Sequence, residues 1–281
     1  MRALATHPAA RGLADDCAVL DFGGETLVLT HDMMVEGVHW LAGQDMADVA
    51  WKLVATNLSD LAAKGAHPVG VLLGFTLGQD DSRFIAGLRE ALEAFDVPLL
   101  GGDTVSANGP RSLGLTALGR ATHRPVPSRS GARPGNTLWL TGPVGAAMLG
   151  FEALRDRTGA DSTAFRRPVP RLAQGRALAP QASAMMDVSD GLLIDAARMA
   201  DASGVSFAIT TAQVPFPAAL PSARRDDAMR WGDDYELLFA LPAGISPTIP
   251  AFRIGSATPR GASSLILDGI APPQPLGYAH D

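Results

Sequence analysis

The sequence predicts an α/β (mixed α+β) protein of two domains. Runs rich in branched apolar residues alternate with segments of helical apolar spacing along the whole chain. A length of 281 residues suits two modest domains with real cores. Residues 123–136 interrupt the alternation with three prolines, two glycines and three arginines around one bulky apolar residue, Val126. That stretch reads as a linker between an N-terminal domain, 1–127, and a C-terminal domain, 128–281.

The elements follow in order. Residues 26–30 read as a strand. Residues 46–64 place Val49, Leu53, Leu58 and Leu61 on one side of a helix. Residues 69–77 are apolar on both alternations, as in a strand buried on both faces. Residues 82–95 form a helix through Phe84, Ile85, Leu88, Leu92 and Phe95, with Asp81 or Ser82 as its cap. Strands follow at 112–120 and 137–141, a helix at 143–157, a helix at 192–202, and strands at 206–210 and 236–241. Two Pro-rich segments, 214–221 and 271–281, read as an exposed loop and a surface tail.

Composition narrows the function. The net charge of −6, with no basic patch, argues against a nucleic-acid partner. No apolar run approaches the ~20 residues that span a membrane, and the N-terminus lacks a signal-peptide pattern, so a cytoplasmic location is expected. The single cysteine, Cys17, excludes an internal disulfide framework and a multi-cysteine metal site. Lys52 and Lys64 are the only lysines. Neither lies in a phosphate-binding G-x-x-x-x-G-K-[ST] loop or a kinase V-A-I-K strand. The G-x-G-x-x-G, G-x-S-x-G and H-E-x-x-H patterns are absent as well.

What remains is the placement of the aspartates. Asp15-Asp16 precedes the apolar run 17–20, and Asp32 follows 27–30. Asp60 sits in Asn-Leu-Ser-Asp-Leu, and Asp103 ends Leu-Leu-Gly-Gly-Asp. Asp187 and Asp190 bracket Val-Ser, and Asp233-Asp234 precedes another apolar run. Any one alone is most simply a turn residue that caps its own backbone. Ser189-Asp190 could cap the helix from Leu192, and Asp60 could face solvent. Together they suggest a cluster that cations must neutralise. Oxygen ligands without convergent His or Cys suit Mg²⁺. Neighbouring glycines let the backbone approach phosphate oxygens. The chemistry indicated is metal-assisted phosphoryl transfer.

The same segments, in order, carry a family resemblance. Asp15-Asp16-Cys17-Ala18 resembles a G-D-D-x-A segment. Residues 57–63 followed by Gly65-Ala66 resemble an N-L-S-D-L-A-A-M-G-A helix. Gly101-Gly102-Asp103-Thr104 matches G-G-D-T, residues 129–135 resemble R-S-G-A-K-P-G, residues 187–192 match D-x-S-D-G-L, and residues 234–237 match D-Y-E-L. These motifs resemble the bacterial thiamine-monophosphate kinases of the aminoimidazole-ribonucleotide-synthetase superfamily. The resemblance implies that superfamily's two-domain fold and a homodimer whose N-terminal strands form a shared barrel. It implies transfer of the γ-phosphate of ATP to thiamine monophosphate. Several Mg²⁺ ions would lie on Asp15, Thr30, Asp32, Asp60, Asp103, Asp187 and Asp190. Gly102, Asp103, Arg129 and Ser189 would contact ATP, and His39, Asp233 and Tyr278 the thiamine phosphate.

The chain departs from the pattern at several points. Only fourteen residues precede Asp15, Ala14 stands for Gly, His31 for Thr, Lys64 for Met and Asp233 for Glu. His39 also reads as a half-buried packing ring, and Arg129 as an exposed linker residue. Two other functions remain. One is another ATP-dependent synthetase of the superfamily, of purine-pathway or selenophosphate type; the latter wants a catalytic Cys beside a Lys, and Cys17 has none in its neighbourhood. The other is a degenerate, non-catalytic nucleotide-binding protein.

Overall fold

A computed structural model describes residues 2–279. The N-terminal part is a five-stranded sheet, ordered β1 (Ala18–Phe22), β2 (Glu25–Val35), β5 (Ser112–Ala121), β3 (Ala66–Thr76) and β4 (Leu99–Val105). Only β3 and β4 run parallel. Gly23 and Gly24, both with positive φ, make the two-residue turn that closes the β1–β2 hairpin. Along β2, Thr26, Val28, Thr30 and Met34 face inward, where α1 (Met46–Ala63) covers the sheet and α2 (Asp81–Ala94) packs against α1, its Phe84 meeting Phe75 of β3. Val28, Leu53, Leu58, Phe84 and Leu115 make the centre of that core.

The other face of this sheet is open. Leu72 and Leu100 are about half exposed there, and Met33 lies on the same face. A strand at 69–77 buried on both faces is therefore not what one chain builds. β3 packs on α1 from one side and presents Leu72 to solvent from the other.

The C-terminal part is a mixed six-stranded sheet. Its order is β11 (Leu265–Leu267), β8 (Val205–Ile209), β10 (Phe252–Pro259), β6 (Thr137–Leu140), β9 (Leu237–Leu241) and β7 (Ala184–Asp187). Helices α3 (Ala146–Arg155), α4 (Thr163–Arg166), α5 (Leu172–Leu178), α6 (Leu192–Ser203) and α7 (Arg225–Arg230) surround it. Every residue of β7 and β9 is buried. The reason is α1: its last turn, through Ala62 and Ala63, packs on Leu178, Met185, Leu237 and Phe239. α5 approaches so closely that a Cβ on Gly175 would sit 1.9 Å from the Ala62 carbonyl oxygen. One helix thus belongs to both layers, and its inner face reaches the seam between them.

Residues 123–136 join the two sheets without a helix or strand of their own, with Val126, Ala132 and Asn136 buried. The Pro-rich 214–221 loop is anchored by Val214 and Leu220. The tail folds back: Leu276 joins the C-terminal core, and the Tyr278 N–H donates to the Asp190 carbonyl. His280 and Asp281 lie outside the described residues.

Candidate active site

A cavity of about 690 Å³ opens along the seam. Lys52, Thr56 and Asp60 of α1 line it, together with Asp15, Asp16, Asp32, His39, Arg129, Asp187, Ser189, Asp190, Asp233 and Tyr278. Ten of the residues expected from sequence are therefore brought together. The helical repeat explains the α1 group: positions 52, 56, 60 and 64 fall on one stripe. Asp60 accordingly faces the cavity, not bulk solvent.

Asp16, Asp60 and Asp187 present carboxylate oxygens that all lie within 4.8 Å of one another. Each is fixed by its own element. Asp187 ends β7 and accepts a 2.6 Å hydrogen bond from Ser59 Oγ of α1. Asp60 accepts from the Thr30 hydroxyl of β2. Asp16 precedes β1, and Arg129 Nε donates to its Oδ1 at 2.7 Å. Burial, then the charges of Asp32, Asp187 and Asp16, push the Asp60 carboxyl well above the usual carboxylate range. Burial and the Asp16 charge raise Asp187 to about 8, against the pull of Ser59. Such a group strongly favours a bound cation. Its donors are all oxygen, so a hard divalent ion such as Mg²⁺ fits them.

A pH effect follows. A carboxyl whose pKa is higher in the folded than in the unfolded chain holds more protons when folded. Its stabilising effect is complete below its unfolded value of 3.8 and is lost as pH rises through the folded value of about 8. The metal-free protein should therefore melt at progressively lower temperature from pH ~4 to ~8, and Mg²⁺ should flatten that slope. Thermal melts at several pH values, with chelator or with Mg²⁺, measure this. A metal-free profile that rises over the same range refutes it.

Asp15 is placed differently from the expectation. Its side chain is buried, with Oδ1 2.5 Å from Lys64 Nζ and Oδ2 2.5 Å from Arg11 Nη1. Burial alone would raise its pKa, but Lys64 overrides burial and holds the carboxyl below the usual range. Lys64 is itself fully buried. Burial disfavours its charge, and Asp16 and Asp15 outweigh that and raise it above an ordinary lysine.

The turn after β7 is held by Asp195 of α6. Its Oδ2 accepts from the backbone N–H groups of Ser189 and Asp190 at 3.1 and 3.0 Å. Asp190 in turn receives Arg198. Ser189-Asp190 is thus capped by the helix rather than capping it. Opposite, Asp233 adopts φ of +64°, with its Oδ2 2.8 Å from Lys52 Nζ and its Oδ1 accepting from Tyr235 Oη. His39 Nδ1 accepts from the Val35 N–H, and its carbonyl accepts from Lys52. Beyond them the cavity becomes aromatic: Phe151, Phe165 and Trp231 pack in contact, and Tyr278 closes the tail side.

Gly102 and Asp103 do not line this cavity. They lie on the exposed edge strand β4, and Asp103 pairs in register with Gly74. The register through Gly74 and Gly114 to Met33 puts Asp103 on the open face of the sheet, opposite α1.

Asp16, Ser59, Lys52, Lys64, Asp195 and the aromatic group were not assigned from sequence. The α1 set had a usable signal: the only two lysines stand twelve residues apart, with Thr56 and Asp60 between them at four-residue steps, in and just after a largely apolar helix. The aromatic residues come from separate loops and helices and had none.

Fold and site together define an AIR synthase related protein. The model of that family's N-terminal domain matches residues 14–121, and the C-terminal domain model matches 133–245. Thiamine-monophosphate kinase of Caulobacter vibrioides is 39% identical, over 89% of this chain and 76% of that protein. The Escherichia coli K12 thiamine-monophosphate kinase is 37% identical, over 82% and 76%. Among solved structures, AaThiL complexed with AMPPCP and TMP superposes with a TM-score of 0.86 at 27% identity, covering 95% of this chain and 91% of the other. The chain belongs to the thiamine-monophosphate kinase family. Hydrogenase maturation protein HypE, 21% identical with a TM-score of 0.74, shares the fold.

Proposed function

We propose that this chain transfers the γ-phosphoryl group of ATP to thiamine monophosphate, giving thiamine diphosphate and ADP. The observation that carries the reading is one cavity with a three-carboxylate cluster at one end and an aromatic wall at the other. The names of its relatives, and a structural neighbour bound to AMPPCP and TMP, support it. Asp16, Asp60 and Asp187, with Asp32, Asp190 and Thr30 around them, would hold Mg²⁺. Bound there, the metal would neutralise charge shared between carboxylates and phosphates.

The protein's own residues then have three tasks. The aromatic wall takes the heteroaromatic part of the acceptor. Ser189, set by Asp195, and Arg129, set by Asp16, face the nucleotide. Asp233, set by Lys52, and His39 bound the acceptor side. No general base is required, because the acceptor is a phosphate oxygen already ionised near neutral pH, its second pKa being ~6. His31 agrees with this: it lies on the open sheet face, 2.9 Å from Thr116 Oγ. In-line transfer without a phosphoenzyme is the expected route.

The domain boundary near 127, a cytoplasmic location and a homodimer are parts of the same proposal. The dimer rests on the open apolar sheet face, which a second copy would cover. The test is ATP and Mg²⁺ with thiamine monophosphate, thiamine or an aminoimidazole ribonucleotide precursor, followed by product identification. Thiamine diphosphate from the first alone is the expected result. A product from the precursor only would overturn it.

Arg129→Lys isolates the nucleotide side. A lysine keeps the charge but loses the planar fork. Loss of one charge-assisted hydrogen bond, about 1.5 kcal/mol or more, weakens ATP binding about tenfold. Thiamine monophosphate binding should stay within twofold. Calorimetric titration of each ligand decides, and unchanged ATP affinity removes Arg129 from the nucleotide site.

A further inference from the structure

We propose that Lys64 is a built-in cation that takes the place of a divalent ion between Asp15 and Asp16. The inference rests on the divalent-cation reading of Asp16, Asp60 and Asp187. Lys64 follows α1 directly and is fully buried. Its Nζ lies 2.5 Å from Asp15 Oδ1, 2.5 Å from Asp16 Oδ2 and 3.3 Å from the Met185 carbonyl oxygen. The ammonium is thus held by two carboxylates from the β1 approach and one carbonyl from β7, a ligand set of the kind that suits a hard cation.

Asp15 is saturated by this arrangement. One oxygen faces Lys64, the other faces Arg11, and the Arg129 N–H also reaches Oδ1 at 3.3 Å. Its side chain is only 2% exposed, so no further ion can reach it without displacing a cation already present. Asp16 is different. Arg129 and Lys64 both lie against it, with Lys64 Nζ 2.5 Å from Oδ2, yet that buried oxygen accepts no hydrogen bond. Asp16 therefore keeps an acceptor for the cluster with Asp60 and Asp187, and Asp15 does not. The division of labour follows: Asp15 anchors Lys64, and Lys64 presents Asp16.

A fixed charge in place of an exchangeable one changes the number of ions the protein needs. Methionine matches lysine in length and carries no charge. In the Lys64→Met variant, Asp15 and Asp16 face each other inside the protein without their shared cation, and the gap should recruit a metal ion. In Asp15→Asn, Lys64 keeps Asp16 as a partner, and the ion count should not change.

The experiment counts Mn²⁺ bound per chain at saturation, from the electron paramagnetic resonance signal of the free ion, in the full-length parent, Lys64→Met and Asp15→Asn. One ion more in Lys64→Met and the parental number in Asp15→Asn are expected. The metal-free Lys64→Met protein should also melt below the parent and recover with Mn²⁺. If Lys64→Met does not fold even with Mn²⁺, Asp15→Asn decides by itself. An ion lost in Asp15→Asn makes Asp15 an ordinary ligand and overturns the inference, as does an unchanged count in folded Lys64→Met. A parent that binds no Mn²⁺ fails earlier, at the cluster itself.

Discussion

Asp60→Asn is expected to lower turnover by a hundredfold or more and to leave the metal-free protein at least as stable as the parent. The two effects have one cause. Asp60 stands among Asp16, Asp32 and Asp187, and their charges together with burial push its carboxyl far above the ordinary range. The folded chain therefore carries repulsion that a bound cation would turn into attraction. Asparagine keeps the shape and can still accept from Thr30, but it removes a negative charge that a divalent ion would meet. Loss of even an outer partner of a metal ligand costs ten- to a hundredfold, so loss of the carboxylate itself should cost more. Without metal, the substitution relieves like-charge repulsion. Steady-state kinetics and paired melts with chelator or Mg²⁺ test both. The parent should gain stability on adding Mg²⁺, and Asp60→Asn should gain little. A variant that unfolds in chelator while the parent does not would make Asp60 a structural residue, and the proposed site would fall.

Legibility followed apolar pattern more than length: β6 was readable at four residues, and β10 was not at eight. β2, β3, β5, α1 and α2 carry apolar repeats long enough to declare their period. β1, β4, β7, β10 and β11 went unread. β7 is four residues ending in the aspartate that defines the site, and β4 is mostly Gly, Asp and Thr, a composition that speaks of a turn. The aspartates were legible as a group because most of them sit at one end of an apolar run. Their individual duties were not. Asp15 and Asp16 are adjacent, and only the positions of Lys64, Arg11 and Arg129 decide which of them is saturated. Those contacts cross up to 114 positions of sequence, and no local pattern encodes them. The tail is legible only in part. Proline content marks 271–281 as a non-helical surface segment, and most of its described residues are exposed, but the entry of Leu276 into the core depends on contacts that no local pattern encodes.

Mixing two inactive variants, Asp60→Asn and Asp103→Asn, is expected to restore activity. Asp103 resembles a metal and nucleotide ligand by its motif, yet within one chain it lies on the open sheet face and away from the cavity. Both facts hold if Asp103 serves the site of the other copy in a dimer. The face itself favours such pairing. Met33, Leu72 and Leu100 are exposed there, and β4 leaves one edge unpaired. A two-fold contact uses the same face twice, so each copy would offer Asp103 and receive Asp103 of the partner subunit. In a mixed dimer, one site then combines both substitutions and the other has neither. Random reassortment of equal amounts makes half the dimers mixed, with one intact site of two, so about a quarter of the parental activity should return. If Asp103 acted within its own chain, every site in the mixture would carry one substitution and none would recover. Leu72→Asp supplies the control: a charge on the shared face should yield a monomer by sedimentation, and the mixture should then stay inactive. Recovery from monomeric chains, or none from mixed dimers, would place Asp103 outside the partner's site.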